Sequence, residues 1–187
     1  MPQVAVDRLE ALLKGCEVYL EFGSGGSTVL AARLGVRQLI SVESDADWCR
    51  ELISHMDSFG SVEKYLLYAD IGATGPWGNP VSDSDWKKWH KYPLIAWDLC
   101  IERNIVPTLI LIDGRFRVAS FLATLIYSPP GTTVLFDDYV DRTHYHSIEQ
   151  FVTPCGYHDR MAEFVMPSSI NRDEVWRSLV ASCIDVR

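Results

Sequence analysis

The sequence predicts a doubly wound α/β fold of three layers, α/β/α, with helices on both faces of a mostly parallel sheet. Three observations predict it. Apolar runs of strand length alternate with segments of helical spacing along most of the chain. Several of those runs are apolar at successive positions, as strands covered on both faces must be. The 187 residues, 48% of them hydrophobic, suffice for one sizeable core, so residues 1–187 are read as a single domain.

The elements follow in order. Val4, Leu9, Leu12 and Leu13 fall on one side of a first helix that stops at Gly15. "CEVYLEF", "QLISVES", "KYLLYADI", "TLILIDG" and "GTTVLFDDY" are five strands rich in Leu, Ile, Val and aromatic residues. Residues 27–34, 45–57, 94–104 and 115–127 have helical spacing and lie between them. This alternation implies parallel strands joined by right-handed crossovers, a Rossmann-like sheet. "YHDRMAEFVM" reads as a sixth strand, and "RDEVWRSLVASCI" places Val175, Trp176, Leu179, Val180 and Cys183 on one helical face. Residues 72–93 break the rhythm with Gly, Pro, Asp and Ser and hold three of the six tryptophans. They form an inserted loop or lid, with Trp77 a candidate substrate contact; the alternative is that Trp77, Trp86 and Trp89 fold back onto the core.

Composition excludes several function classes. A net charge of −8 argues against binding a phosphate backbone, so no nucleic-acid partner is expected. Five scattered cysteines without a Cys-x-x-Cys pair read as reduced, and no run approaches the length of a membrane span. A soluble cytoplasmic protein is expected, with no membrane partner and an oligomeric state that nothing in the sequence specifies.

The chemistry centres on "EFGSGGST", residues 21–28, where the first strand hands over to a helix. In an open α/β sheet ligands bind beyond the carboxyl ends of the strands. Gly23 and Gly25 let the chain turn and a ligand approach, and the helix beginning near Ser27 points free N–H groups at it. Thr28 stands where a dinucleotide-binding turn has its third glycine, which disfavours NAD. Glu21 would face the ligand and suit an ammonium group, Glu43 at the end of "SVE" would receive ribose hydroxyls, and Asp70 would meet an adenine edge or cap its own loop.

These segments resemble the class I S-adenosylmethionine-dependent methyltransferases, from "VYLEFGSGGST" through "ISVESD", "YADIG" and "LILIDG" to "LFDDY". The resemblance implies that Glu21, Gly23, Gly25, Gly26, Ser27 and Thr28 surround the methionine end, with Glu43 at the ribose and Asp70 at the adenine. The "GGST" form of the turn looks like that of small-molecule O-methyltransferases, which implies a small acceptor. Asp113, Asp137 and Asp138 end the fourth and fifth strands, and three clustered acids need a proton or a cation. They are expected to bind a divalent cation such as Mg²⁺ or, for Asp113 and Asp138, to act in catalysis; a capping role is the alternative. His144, two residues before His146, is a further candidate base. Arg115 and Arg117 would receive a substrate carboxylate or phosphate, or else pair with the aspartates. Two other functions compete: a nicotinamide-dependent oxidoreductase and a non-catalytic nucleoside-binding protein.

Overall fold

The computed structural model describes residues 1–60 and 62–186. Its elements are α1 (Gln3–Leu13), β1 (Val18–Phe22), α2 (Gly26–Arg33), β2 (Gln38–Glu43), α3 (Ala46–Met56), β3 (Glu63–Tyr68), α4 (Lys91–Arg103), β4 (Leu109–Ile112), α5 (Arg117–Tyr127), β5 (Thr133–Phe136), β6 (Gly156–His158), β7 (Met161–Val165) and α6 (Arg172–Ser182). The strands form one sheet in the order β3-β2-β1-β4-β5-β7-β6. β1 to β5 pair in parallel, while β7 runs antiparallel to both of its neighbours. Strand order reverses between β1 and β4, and the crevice outside that switch point is where such sheets bind ligands. Register makes the crevice compact. Phe22, the last residue of β1, lies opposite Val42 of β2 and Ile112 of β4, so the loops after these strands emerge level with one another.

Two apolar clusters sandwich the sheet. Tyr19, Leu39, Leu109, Leu111 and Leu135 pack with α1, α2 and α3 on one face. Leu20, Phe22, Ile40, Ile110, Ile112 and Phe136 pack with α4, α5 and α6 on the other. Successive strand residues feed opposite clusters, which is why apolar residues occupy neighbouring positions along these strands.

Several expectations are corrected. "YHDRMAEFVM" is two strands: β6 and β7 form a hairpin in which His158 pairs with Met161 and Asp159 turns the chain at φ 59°. Val4 is 55% exposed, and Ala5 joins Leu9 and Leu13 in the core instead. On α6 only Val175 and Leu179 are buried. The α4 helix begins at Lys91, with Pro93 in its first turn, where no intrahelical N–H bond is lost. The 72–93 insertion is divided. Trp89 is buried, Trp86 is half exposed, and Trp77 stands 89% exposed at the tip of a hairpin closed by a Thr74–Pro80 bridge. No helix among the described residues is long and apolar enough to cross a membrane.

Candidate functional site

Glu21 is the one charged residue of β1 and is fully buried, which is costly unless its oxygens are satisfied. They are. Ser27 and Tyr19 hydroxyls donate to Oε2 at 2.6 and 3.0 Å, the Ser41 hydroxyl donates to Oε1 at 2.7 Å, and Thr28 donates to Oε1 as well. Burial still pushes its carboxyl up to about 7 against the pull of these hydroxyls. Glu21 therefore lies beneath the turn, tying β1, β2 and the first turn of α2 together, rather than at the mouth where an ammonium would meet it. Thr28 also accepts the Gly25 N–H at 2.8 Å, half of a capping box. The residue that breaks the dinucleotide spacing thus serves the turn itself.

The glycine requirement falls at Gly23. Its φ is 102°, and a Cβ there would lie 2.6 Å from the Gly114 backbone, so the loops after β1 and β4 touch main chain to main chain. Gly25 is different: its backbone is extended (φ 170°) and a Cβ would meet nothing. That open side, with Gly26, borders a cleft of about 340 Å³ reaching Trp48, Leu52 and His55. Trp48 closes over the turn by donating its indole N–H to Ser24 O at 3.0 Å.

Glu43 ends β2 beside this turn. Its Oε1 accepts the Ser44 and Asp45 main-chain N–H groups at 2.6 and 2.9 Å, whereas Oε2 takes only a long bond, 3.3 Å, from Ser24 N–H. One oxygen is anchored and the other retains acceptor capacity, an arrangement that fits ribose hydroxyls. The 74–80 hairpin crosses over this position. Ser44 Oγ donates to Gly78 O at 3.1 Å, and Asn79 Oδ1 accepts from Arg115 Nη1 at 3.0 Å, so the hairpin spans from the end of β2 to the end of β4. Beneath it Tyr92, from the start of α4, accepts the Arg115 main-chain N–H at 3.3 Å.

The aspartate cluster is real, but arginines neutralise it. Ligand atoms of Asp113, Asp137 and Asp138 lie within 4.8 Å of one another. Arg117 is buried and bonds Asp113 Oδ1 at 3.1 Å, Asp137 O at 2.6 Å and Asp138 Oδ2 at 3.3 Å. Arg142 reaches Asp138 at 2.7 Å, and Arg160 reaches Asp138 at 2.8 Å and Asp137 at 3.3 Å. Three carboxylates facing three guanidinium groups do not fit a divalent cation, which would have to enter against that positive charge. The expected metal role of Asp113, Asp137 and Asp138 is corrected accordingly, and Arg117 is a pairing residue rather than a substrate contact. Burial, with Asp137 and Asp138 nearby, pushes the Asp113 carboxyl up to about 6 although Arg117 opposes it. Asp138 holds φ 58° and a mainly buried, triply paired side chain, unsuited to moving a proton.

The other expectations separate. Asp70 caps its own loop by accepting the Gly72 N–H at 3.0 Å, and it faces Lys88 at 3.5 Å. His144 lies exposed on a 3₁₀ helix, residues 143–150, with its ring against Tyr145, so strand spacing does not apply to the two histidines. His146 stacks on Tyr139 and contacts Tyr139 O at 3.1 Å. Sequence reasoning missed Tyr92, Asn79, Arg142 and Arg160. Only the "GPWGNP" turn signal could have pointed to the hairpin that carries Asn79.

No family model matches the chain, and no curated protein matches it. Solved structures do. A methyltransferase-like protein from Silicibacter pomeroyi is 37% identical over 98% of this chain and 95% of its own, with a TM-score of 0.87. A 16S rRNA methyltransferase of T. thermophilus in complex with AdoMet and guanosine is 14% identical, with a TM-score of 0.53 over 90% of this chain and 44% of its own. The second likeness speaks to the fold alone.

Proposed function

Since the chain belongs to the methyltransferase-like family of the class I S-adenosylmethionine-dependent methyltransferase fold, we propose that it transfers a methyl group from S-adenosylmethionine to an oxygen of a small acceptor in the cytoplasm. The observation that carries this reading is Glu43: one oxygen locked by two main-chain N–H groups, the other available, beside the Gly23 turn at the switch point of the sheet. A ribose recognised by a pre-oriented carboxylate is the economical use of that geometry.

S-adenosylmethionine supplies an electrophilic methyl group on a sulfonium. The chain's part is to orient and to move one proton. Glu43 holds the nucleoside, the turn from Gly23 to Gly26 leaves room along its backbone, and Glu21 keeps that turn rigid from below. Asp113, with its carboxyl near 6, is mostly ionised at neutral pH and close to the optimum for a base. It accepts the acceptor's hydroxyl proton as the new C–O bond forms and the S–CH₃ bond breaks. The net charge of −8 supports a small acceptor over a nucleic acid.

Calorimetric titration with S-adenosylmethionine and S-adenosylhomocysteine, with NADH as control, tests the reading. Micromolar binding of the first two and none of the third is expected. Glu43→Gln keeps an acceptor for the main-chain N–H groups but loses the charge-assisted ribose bonds, and should weaken binding by about 1.5–3 kcal/mol. Unchanged affinity in that variant would remove Glu43 from the nucleoside site.

A further inference from the structure

Four arginines crowd the carboxyl edge of β4 and β5, and three of them are spoken for. Arg117, Arg142 and Arg160 divide the three aspartates among them. Arg115 has no such partner: among the described residues no carboxylate lies within ion-pair distance of it. Its Nη1 donates to Asn79 Oδ1 at 3.0 Å, and its Nε is buried with no hydrogen bond. A half-buried guanidinium beside two like charges and a neutral amide is electrostatically unsatisfied: burial first, and then Arg117 and Arg142, destabilise its charge. The Nε edge is the face on which guanidinium groups take carboxylates in pairs of parallel bonds. Asn79 Oδ1 occupies only Nη1, on the other side of the guanidinium, and leaves the Nε edge without an acceptor.

We infer that Arg115 is the carboxylate-binding residue of this site, taking at its Nε edge the carboxylate of an acidic acceptor or of the cofactor's amino-acid end. The inference rests on the methyltransferase reading for the identity of its ligands. It does not rest on that reading for the presence of an anion site. It also separates two residues that the sequence leaves equivalent, because Arg117, two positions on, is consumed by Asp113 and Asp138.

Wild type, Arg115→Gln and Asn79→Asp are compared by calorimetry. The last places an internal carboxylate on Arg115 from an exposed hairpin and leaves the guanidinium and the core intact. The probes are S-adenosylhomocysteine, 5′-methylthioadenosine, which is the same thioether nucleoside without the amino acid, and 4-hydroxybenzoate against 4-hydroxybenzamide. Both substitutions are expected to weaken one carboxylate probe at least about tenfold while its neutral counterpart stays within about twofold. Loss confined to S-adenosylhomocysteine assigns the site to the cofactor, and loss confined to 4-hydroxybenzoate assigns it to the acceptor. Equal binding of each probe by all three proteins, or parallel loss of the neutral probes, overturns the inference. If wild type binds neither nucleoside, the methyltransferase reading fails, and the 4-hydroxybenzoate arm alone decides Arg115: no binding there overturns the inference too.

Discussion

Asp113 and its neighbours Asp137 and Asp138 show how position divides labour among identical side chains. Asp138 is pinned by three guanidinium groups, and Asp137 is 1% exposed with Arg160 on one oxygen. Asp113 has a single side-chain partner, Arg117, and its carboxyl keeps 29% exposure, so it combines a pKa raised to about 6 with access. A base works when deprotonated, so kcat/KM should fall as pH drops through about 6, once an acceptor is found. Asp113→Asn is expected to lower kcat/KM by about 10²–10⁴-fold and to abolish that limb, without a response to chelators in either protein. A variant that retains turnover would make the cluster purely structural. The sequence offered pairing between the acids and the arginines but not which arginine makes it. "DGRFR" reads the same whichever arginine turns inward, and the choice is made by Phe116, which enters α5 at φ 51° and delivers Arg117, not Arg115, to the aspartates.

Among elements, the 74–80 hairpin is the least legible and the most placed. Strands β1, β2, β4 and β5 were readable because both faces are buried, so apolar residues occupy successive positions, and the edge strand β3, only half-buried, was readable from the apolar residues of its "YLLY" stretch. The hairpin has no such pattern: Trp77, its largest side chain, points outward, and its contacts are polar and single. The 3₁₀ helix at 143–150 and the β6–β7 hairpin escaped for a related reason, since both are too short for a period to be visible. What fixes the hairpin to the site is Gly78. Its φ is 68°, and a Cβ there would lie 2.6 Å from Ser44 Oγ and 3.4 Å from Glu43 Oε1. Gly78→Ala should therefore lift the hairpin off β2 while costing only about 1–2 kcal/mol of global stability, because no core residue moves. Hydrogen exchange checks this. The Gly75 and Gly78 amides, bonded to Asn79 O and Gly75 O at 2.8 and 3.1 Å, should lose protection while β1 and β4 keep theirs. Unaltered exchange at those two amides would mean that the close approach to Ser44 is not what holds the hairpin.

At the scale of the whole molecule, the crevice at the switch point requires buried acids, and these set how stability depends on pH. Glu21 is pushed up to about 7 and Asp113 to about 6, both by burial, while Glu163 is held low by the Arg8 guanidinium and by His158. The first two act against the usual direction. Between the ordinary carboxylate range and about 7, the unfolded chain has released a proton that native Glu21 retains, so the native state binds more protons and stability falls as pH rises. Comparison with Glu21→Gln isolates this contribution from the opposite effect of Glu163. Urea denaturation of both proteins at pH 4.5, 6 and 7.5 should show wild type losing ground to the variant by up to about 3 kcal/mol across that span. A constant difference would mean that the four hydroxyls fully offset burial and that Glu21 ionises as it does in water. A falling difference would mean that the fold tolerates a strained acid at neutral pH to hold the Gly23 turn in shape. The variant should then come closest to wild type in stability at pH 7.5 and still bind the nucleoside more weakly, because the amide cannot accept all four hydroxyl bonds that shape the turn.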